Sequence, residues 1–345
     1  MPLPRRLVVS APGRAGVLGN PTDQYGGSQI SCSVRLRARV TLVEAPKLVL
    51  ATSDQECTIE SPRELELCGD LFDLARAVLA EVGPLSPACR IEWTSEIPLQ
   101  GGLAGSTALL VALLRACLAW QRRAFGPHAV AELARHIEST RIGVVCGFGD
   151  QYMAVFGGLR YLDFRGKAHG EVFHPPRYAT VEALDGLVPS LPFALGVTGV
   201  RHSSGSVHKP IRERWLAGDP EIVAGYARMT ELAREGKVAL LTDDLRRFGE
   251  LMNENHDLQR SFGGSGESNE TLIAAALQAG ALGAKLAGAG DGGTIIALWP
   301  EADFTPLERA LRNAGAVATP EMTPVPGVRV EEDSAAGPEN LRPGT

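Results

Sequence analysis

The segment PLQGGLAGST, residues 98–107, predicts a tight turn between a strand and a helix. The apolar pattern before it, Cys89–Trp93, is typical of a short strand, and Ser106–Trp120 predicts a helix that is apolar on nearly every side. Such a helix is expected to be buried. Small residues allow the backbone to pass close to phosphate oxygens, and a helix N-terminus offers unpaired N–H groups. The segment therefore indicates a phosphate-binding loop at the start of a buried helix.

Two better-known nucleotide-binding patterns do not fit this segment. The P-loop sequence G-x-x-x-x-G-K-[ST] is absent, and no acidic residue follows at the distance that a dinucleotide-binding fingerprint requires. Ser106 and Thr107 can either cap the helix or place a hydroxyl group on Mg²⁺. Taken alone, the segment also fits a plain strand-to-helix turn with a Ser/Thr cap and no ligand.

The length of 345 residues predicts two domains. Pro189 and Pro192 mark a plausible boundary, which gives an N-terminal domain of residues 1–190 and a C-terminal domain of residues 191–330. The polar, Pro/Gly-rich segment 331–345 is expected to be a disordered tail.

Charge and cysteine content exclude several classes of partner. A net charge of −6 without a basic stripe argues against nucleic-acid binding. None of the six cysteines forms a C-x-x-C pair, which argues against zinc and favours a reducing cytoplasm. The N-terminus lacks a signal-peptide pattern, and the longest apolar run, Ala108–Leu114, is too short to span a membrane. We expect a cytoplasmic monomer or homodimer that acts on small molecules.

Three further segments extend the pattern, namely residues 11–19 (APGRAGVLG), 143–151 (GVVCGFGDQ) and 288–293 (GAGDGG). Together with residues 98–107, and in this order, they resemble the GHMP kinase superfamily of galactokinase, homoserine kinase, mevalonate kinase and phosphomevalonate kinase. The resemblance covers about residues 8–300. It implies an α+β fold with a ribosomal protein S5 domain 2-like N-terminal domain and a ferredoxin-like C-terminal domain. It also implies an ATP-dependent kinase that uses Mg²⁺.

The resemblance assigns the catalytic residues. Asp150 matches the family's general base for the acceptor hydroxyl group. Arg14 matches the arginine that keeps this carboxylate ionised and stabilises charge on the transferring phosphoryl group. The alternative is that Asp150 and Arg14 form a buried ion pair with a purely structural role.

The resemblance likewise implies the nucleotide and metal sites. Ser106 and Glu138 match the family's Mg²⁺ ligands, because a hydroxyl, a carboxylate, waters and phosphate oxygens suit an ion that stays largely hydrated. The alternative for Glu138 is a solvated helix charge beside Arg135 or Arg141. The residues expected to hold the ATP phosphates are Gly101, Gly102, Leu103, Ala104, Gly105, Ser106 and Thr107.

Within the superfamily, residues 18–23 (LGNPTD) and 204–209 (SGSVHK) resemble glucuronokinase, whereas residues 198–203 (TGVRHS) resemble galactokinase. Asp23 matches an acid that binds sugar hydroxyl groups. Asn20 stands where galactokinase has a glutamate near the C6 hydroxyl group, so a charge that would repel a C6 carboxylate is missing.

The remaining expected contacts to the acceptor are more distant in sequence. Arg201, His208 and Lys209 would pair with a C6 carboxylate, or else are exposed loop charges. Gly290 belongs to the third glycine-rich segment, which closes over the acceptor and phosphates in the family, and Asp291 is an unusual residue there.

These observations predict that the protein phosphorylates the anomeric hydroxyl group of a uronic acid to give a sugar 1-phosphate. Two alternatives remain open. One is the same chemistry on galactose, arabinose, a heptose phosphate or mevalonate. The other is a regulator that binds sugar and ATP without catalysis.

Overall fold

The structure is a computed structural model that describes residues 4–98, 101–167, 178–188, 191–200, 204–320 and 322–335, with only the backbone described at 204–208. The predicted α+β class is confirmed, because helices and two separate sheets make up these residues. Among these residues no helix is long and apolar enough to cross a membrane.

The first sheet is built around two long antiparallel strands, β1 and β2, paired from Arg6↔Val43 to Leu18↔Ile30. Because β2 is longer than its neighbours, it pairs with β5 near its C-terminal end and with β6 near its N-terminal end. The strand order is β11-β1-β2-β5-β3-β4, with β6 between β2 and β7. The bounds are β1 Arg6–Leu18, β2 Ser28–Glu44, β3 Leu48–Ala51, β4 Glu56–Ile59, β5 Cys89–Ser95, β6 Leu159–Asp163, β7 Thr180–Ala183 and β11 Arg329–Asp333.

Four helices accompany this sheet: α1 Asp73–Val82, α2 Gly105–Trp120, α3 Pro127–His136 and α4 Gly149–Phe156. Helix α2 packs on β1 and β2 and also contacts the other three helices. Its side chains are apolar around the helix, and most of them are fully buried. The helix predicted to follow residues 98–107, the glycine loop, is therefore confirmed as a buried helix. It fixes the glycine loop against the centre of the sheet.

The second sheet has three antiparallel strands in the order β8-β10-β9, with bounds β8 Phe193–Val197, β9 Gly283–Leu286 and β10 Thr294–Leu298. Helices α8 (Glu267–Ala279) and α9 (Thr305–Asn313) pack on it around a small apolar core of their own. Helices α5 (Ser204–Leu216), α6 (Pro220–Leu241) and α7 (Leu245–Ser261) precede them. Helix α6 packs on β2 and α7 packs on β9, so these two helices join the halves of the molecule.

The expectation that the disordered tail begins at residue 331 is wrong for its first residues. Residues 331–333 belong to β11, which pairs with β1 from Ser10↔Arg329 to Leu7↔Asp333. Polar residues are tolerated there because β11 is an edge strand, and its acidic side chains bond to β1, as Glu331 does to Ser10. The chain therefore returns from the second sheet to the first before residue 333.

Candidate active site

Arg14, on β1, joins three segments that are far apart in sequence. Its backbone N–H donates to the carbonyl oxygen of Leu103 at 3.0 Å, and its Nη1 donates to those of Gly102 at 2.9 Å and Ala287 at 3.3 Å. The same guanidinium group pairs with Asp150, near the start of α4. One side chain thus contacts the glycine loop, the predicted catalytic carboxylate and the start of residues 287–293, which we call the C-terminal glycine-rich turn.

The ion pair between Arg14 and Asp150 is one-sided. Nε and Nη2 of Arg14 lie 2.7 Å and 2.6 Å from the same oxygen, Oδ1 of Asp150. The side chain of Asp150 is 35% exposed and lies on a cavity wall. The second oxygen, Oδ2, has no hydrogen-bond donor within the described residues and stays accessible to a ligand.

The glycine loop leaves the N-terminus of α2 without a side-chain cap. Gly102 has φ of 74° and Ala104 has φ of 57°, so both lie in the left-handed region. Ala104 occupies the N-cap position, and its methyl group cannot accept a hydrogen bond. The Ser/Thr cap of the alternative interpretation is therefore not formed, and the first N–H groups of α2 are available to an anion.

The C-terminal glycine-rich turn lies directly against this loop. A Cβ atom on Gly288 would come within 2.8 Å of the carbonyl oxygen of Gly102. Thr294 Oγ1 donates to the carbonyl oxygen of Gly101 at 2.5 Å. The two halves of the molecule therefore meet at the loop that is expected to hold the phosphates.

Between the two turns lies a cavity of about 430 Å³. The cavity wall includes most of the residues singled out from the sequence. Leu103 is fully buried beneath the wall and contributes its carbonyl oxygen to Arg14. The wall residues among those predicted are Arg14, Asn20, Asp23, Glu138, Asp150 and, from the loop, Gly101, Gly102, Ala104, Gly105, Ser106 and Thr107.

Glu138 is buried, so the alternative of a solvated helix charge does not hold. It lies in a single π-helical turn, Ile137–Arg141, that continues α3 into the site. Thr107 Oγ1 is 3.2 Å from both carboxylate oxygens, and Gln151 Nε2 donates to Oε2 at 2.7 Å. Burial raises the pKa of Glu138 to about 7. A cation at this carboxylate would favour its ionised form.

The donor set fits a hydrated magnesium ion. Ser106 is exposed at the start of α2, and its hydroxyl group lines the same cavity as the carboxylate of Glu138. In the described part of the chain, no three His, Cys, Asp or Glu side chains come together as a metal cluster. Waters and phosphate oxygens would therefore complete the coordination shell, which is the arrangement that Mg²⁺ prefers.

Asp23 positions the start of α4. Its Oδ2 accepts hydrogen bonds from the backbone N–H groups of Phe148 and Gly149, both at 2.8 Å. Gly147 has no space for a side chain, because a Cβ atom there would lie 1.9 Å from the same oxygen. Burial raises the pKa of Asp23, and the two backbone hydrogen bonds oppose that shift. Asp23 therefore lines the cavity and also fixes the helix that carries Asp150.

Two other predicted contacts, Gly290 and Lys209, are not brought to the cavity wall. Gly290 packs against the loop before α8, where a Cβ atom would lie 1.6 Å from the carbonyl oxygen of Gly264. Lys209 is exposed on α5 and does not line the cavity. Arg201 lies outside the described residues, and so does the side chain of His208.

Some residues at this site were missed by the sequence analysis. Lys285 is fully buried, and its Nζ donates to Asn20 Oδ1 at 2.8 Å. Gln24 Oε1 and Ser31 Oγ belong to buried side chains of the cavity wall, and neither has a hydrogen-bond partner among the residues that the structure describes. Of these residues, only Lys285 could have been noticed in the sequence, because it is a lysine inside the otherwise apolar run of residues 283–288 (GAKLAG).

Comparison with known proteins identifies the family. The model of the GHMP kinase N-terminal domain matches residues 71–158, and that of the GHMP kinase C-terminal domain matches residues 237–317. A protein of Arabidopsis thaliana named "Probable glucuronokinase 2" is 33% identical over 333 residues, with 89% of this chain and 88% of the relative covered. Mevalonate kinase of Thermococcus sibiricus is 28% identical over 353 residues, which cover 95% and 99% of the two chains.

A solved structure agrees at the level of the fold. Galactokinase of Lactococcus lactis in complex with galactose aligns with a TM-score of 0.77 at 16% identity, covering 94% of each chain. The chain belongs to the GHMP kinase family. It has the two-domain fold of that family and is an ATP-dependent kinase of the hydroxyl group of a small molecule.

Proposed function

We propose that this kinase transfers the γ-phosphoryl group of ATP to the anomeric hydroxyl group of a uronic acid, such as glucuronate or galacturonate. The acceptor assignment rests on Asn20, whose neutral side chain lines the same cavity as Asp150. A carboxylate in place of Asn20 would repel an acidic acceptor. The amide instead offers hydrogen bonds to it.

The transfer step follows from the one-sided ion pair. The acceptor oxygen attacks the γ-phosphorus, its proton passes to Oδ2 of Asp150, and the bond from the γ-phosphorus to the bridging oxygen of ADP breaks. Arg14 holds Asp150 in place before the transfer and lies beside the charge that develops. The N-terminus of α2 binds the phosphates. Magnesium held by Ser106 and Glu138 would neutralise the negative charge of the phosphates.

The relatives support an acidic acceptor without naming one for this chain. Glucuronate and mevalonate, the acceptors implied by the names of two of the matched proteins, both carry a carboxylate group. The resemblance of residues 18–23 and 204–209 to glucuronokinase favours the sugar acid of the two. The second candidate acceptor is mevalonate, because the match to the mevalonate kinase of Thermococcus sibiricus extends over 353 residues.

The acceptor is tested by measuring ADP release in a coupled assay. The panel contains glucuronate, galacturonate, glucose, galactose, arabinose and mevalonate, each at several concentrations with saturating MgATP. We expect the highest kcat/KM with a uronate, and ³¹P NMR of the product should show phosphate on the anomeric oxygen. Efficient turnover of neutral hexoses with slow turnover of uronates would exclude the uronate proposal. ATP and sugar binding without turnover of any acceptor would indicate a regulator.

A further inference from the structure

Lys285 is a lysine whose side chain is enclosed within the protein. It lies on β9 with none of its surface exposed. Its Nζ donates to Asn20 Oδ1 at 2.8 Å and to the carbonyl oxygen of Leu286. No aspartate or glutamate of the described chain lies within ion-pair distance of this nitrogen. A buried ammonium group in this situation is costly unless another negative charge approaches it.

The charged groups that interact electrostatically with Lys285 in the described chain do not neutralise it. Arg14 repels it and already pairs with Asp150. His256, on α7, lies close enough for Lys285 to lower its pKa, and its Nε2 is bonded to Glu270 at 2.9 Å. Both neighbours that act electrostatically on the lysine are thus basic groups with acidic partners of their own.

Asn20 connects the lysine to the cavity. Because Nζ requires an oxygen acceptor, it orients the amide of Asn20 with Oδ1 toward β9. The amide nitrogen Nδ2 then has no acceptor in the part of the chain that the structure describes, and Asn20 lines the cavity. The amide lies flat against Gly16, where a Cβ atom would be 2.5 Å from Asn20 Cγ. The geometry therefore leaves two N–H groups of the amide for a ligand.

We propose that Asn20 and Lys285 form a subsite for the carboxylate group of the acceptor, in which Asn20 contacts the ligand and Lys285 positions Asn20 and supplies positive charge. This inference rests on the proposed kinase function and adds a specificity determinant to it. The unpartnered oxygens of Gln24 and Ser31 on the same wall would meet the hydroxyl groups of such a ligand.

The subsite has a consequence for proton binding. Burial lowers the pKa of Lys285 to about 7, and Arg14 adds to the shift. A carboxylate bound at Asn20 would raise this pKa again, because a nearby negative charge favours the ammonium form. Binding of a uronate above pH 7 is therefore accompanied by proton uptake, which a neutral sugar does not cause.

The test uses Lys285→Met, which keeps an unbranched side chain as far as Cε and removes the ammonium group with its charge. The readout is the ratio of kcat/KM for glucuronate to kcat/KM for its methyl ester, which differs by one added methyl group and by the loss of the negative charge. We expect the variant to lower this ratio at least tenfold, through KM for glucuronate. A matched control is Lys167→Met, because Lys167 is also buried but pairs with Glu132 at 2.9 Å. That control should lower stability without changing the ratio.

Asn20→Asp provides a second test if Lys285→Met does not fold, since the new carboxylate would pair with Lys285. We expect it also to lower the ratio at least tenfold, by occupying the positive charge. An equal effect of either variant on glucuronate and its ester would overturn the subsite and leave a structural role. If the subsite proposal fails, the wild-type protein should still phosphorylate at least one acceptor in the panel. If the wild type turns over no acceptor, the proposed function itself is overturned. In that case calorimetry with glucuronate and a non-hydrolysable ATP analogue still tests the subsite.

Discussion

Arg14 directs two N–H groups at one oxygen of Asp150 and leaves the other oxygen without a donor in the described chain. A pair of this kind separates two tasks within one carboxylate. Oδ1 is held in place by the guanidinium group, while Oδ2 can accept a proton from a ligand. The surface pair of Arg228 and Glu254 is arranged differently, because Nε and Nη2 of Arg228 bond to different oxygens of the carboxylate.

Asp150→Asn should abolish most of the activity while ATP still binds. The amide keeps the shape of the side chain and removes the proton acceptor, so we expect kcat to fall by about 10²–10⁴-fold. ATP affinity, measured by calorimetry, should change by no more than a few-fold. The matched control is Asp257→Asn, because Asp257 pairs with Arg260 on an exposed face of α7. If kcat of Asp150→Asn stays within a few-fold of the wild type, Asp150 is not the general base.

Gly288→Ala should weaken ATP binding. The added Cβ atom would lie 2.8 Å from the carbonyl oxygen of Gly102, so the glycine loop has to move away from the C-terminal turn. We expect KM for ATP to rise about tenfold or more, because the loop positions the phosphates. The control is Gly126→Ala, since a Cβ atom there meets nothing within 4 Å and its φ is −66°. Equal KM values for ATP in the two variants would contradict this role of the loop contact.

The sequence predicted the parts of the site that lie within short motifs. The glycine loop and the helix after it were recognisable because small residues precede an unbroken apolar run in residues 98–120. The pairing of Arg14 with Asp150 followed from the ordered set of motifs, although 136 residues separate them. These features are local patterns that the chemistry of phosphate binding requires, so a single sequence displays them.

The contacts that were missed join residues with no shared local pattern. Lys285 and Asn20 are 265 residues apart, and a lysine in a strand is ordinarily assigned to a wet face. Strand β11 was missed because its polar sequence fits an exposed edge as well as a loop, and only its pairing with β1 distinguishes them. Under our proposal the acceptor specificity depends on long-range contacts such as that between Lys285 and Asn20, so motifs identify the reaction class more readily than the substrate.

Glu138→Gln should increase the requirement for magnesium. The amide can still bond to Thr107 and lacks the charge that attracts the ion. We expect the magnesium concentration for half-maximal activity to rise at least tenfold at fixed ATP. Glu132→Gln is the matched control, because Glu132 is equally buried and bonds to Tyr152 and Lys167. That substitution should lower the free energy of unfolding and leave the magnesium dependence as it is. An unaltered magnesium requirement in Glu138→Gln would remove Glu138 from the metal site.

The buried lysine should also leave a signature in the pH dependence of stability. The pKa of Lys285 is about 7 in the folded protein and 10.5 for an unperturbed lysine, so between these values the unfolded chain binds more protons than the folded one. The free energy of unfolding therefore gains a contribution that increases with pH over this window. Its full size is on the order of a few kcal/mol, because each unit of pKa shift corresponds to about 1.4 kcal/mol.

This contribution is isolated by comparing the wild type with Lys285→Met in urea unfolding between pH 6.5 and pH 9.5. Methionine does not titrate, so the difference in the free energy of unfolding, wild type minus variant, should increase steadily with pH across the window. His256, whose pKa Lys285 also affects, is present in both proteins, so its own titration largely cancels in the difference. A difference that stays constant with pH would show that Lys285 keeps an ordinary pKa. Some negative group would then stabilise its ammonium form beside the cavity, and the premise of the subsite would be wrong.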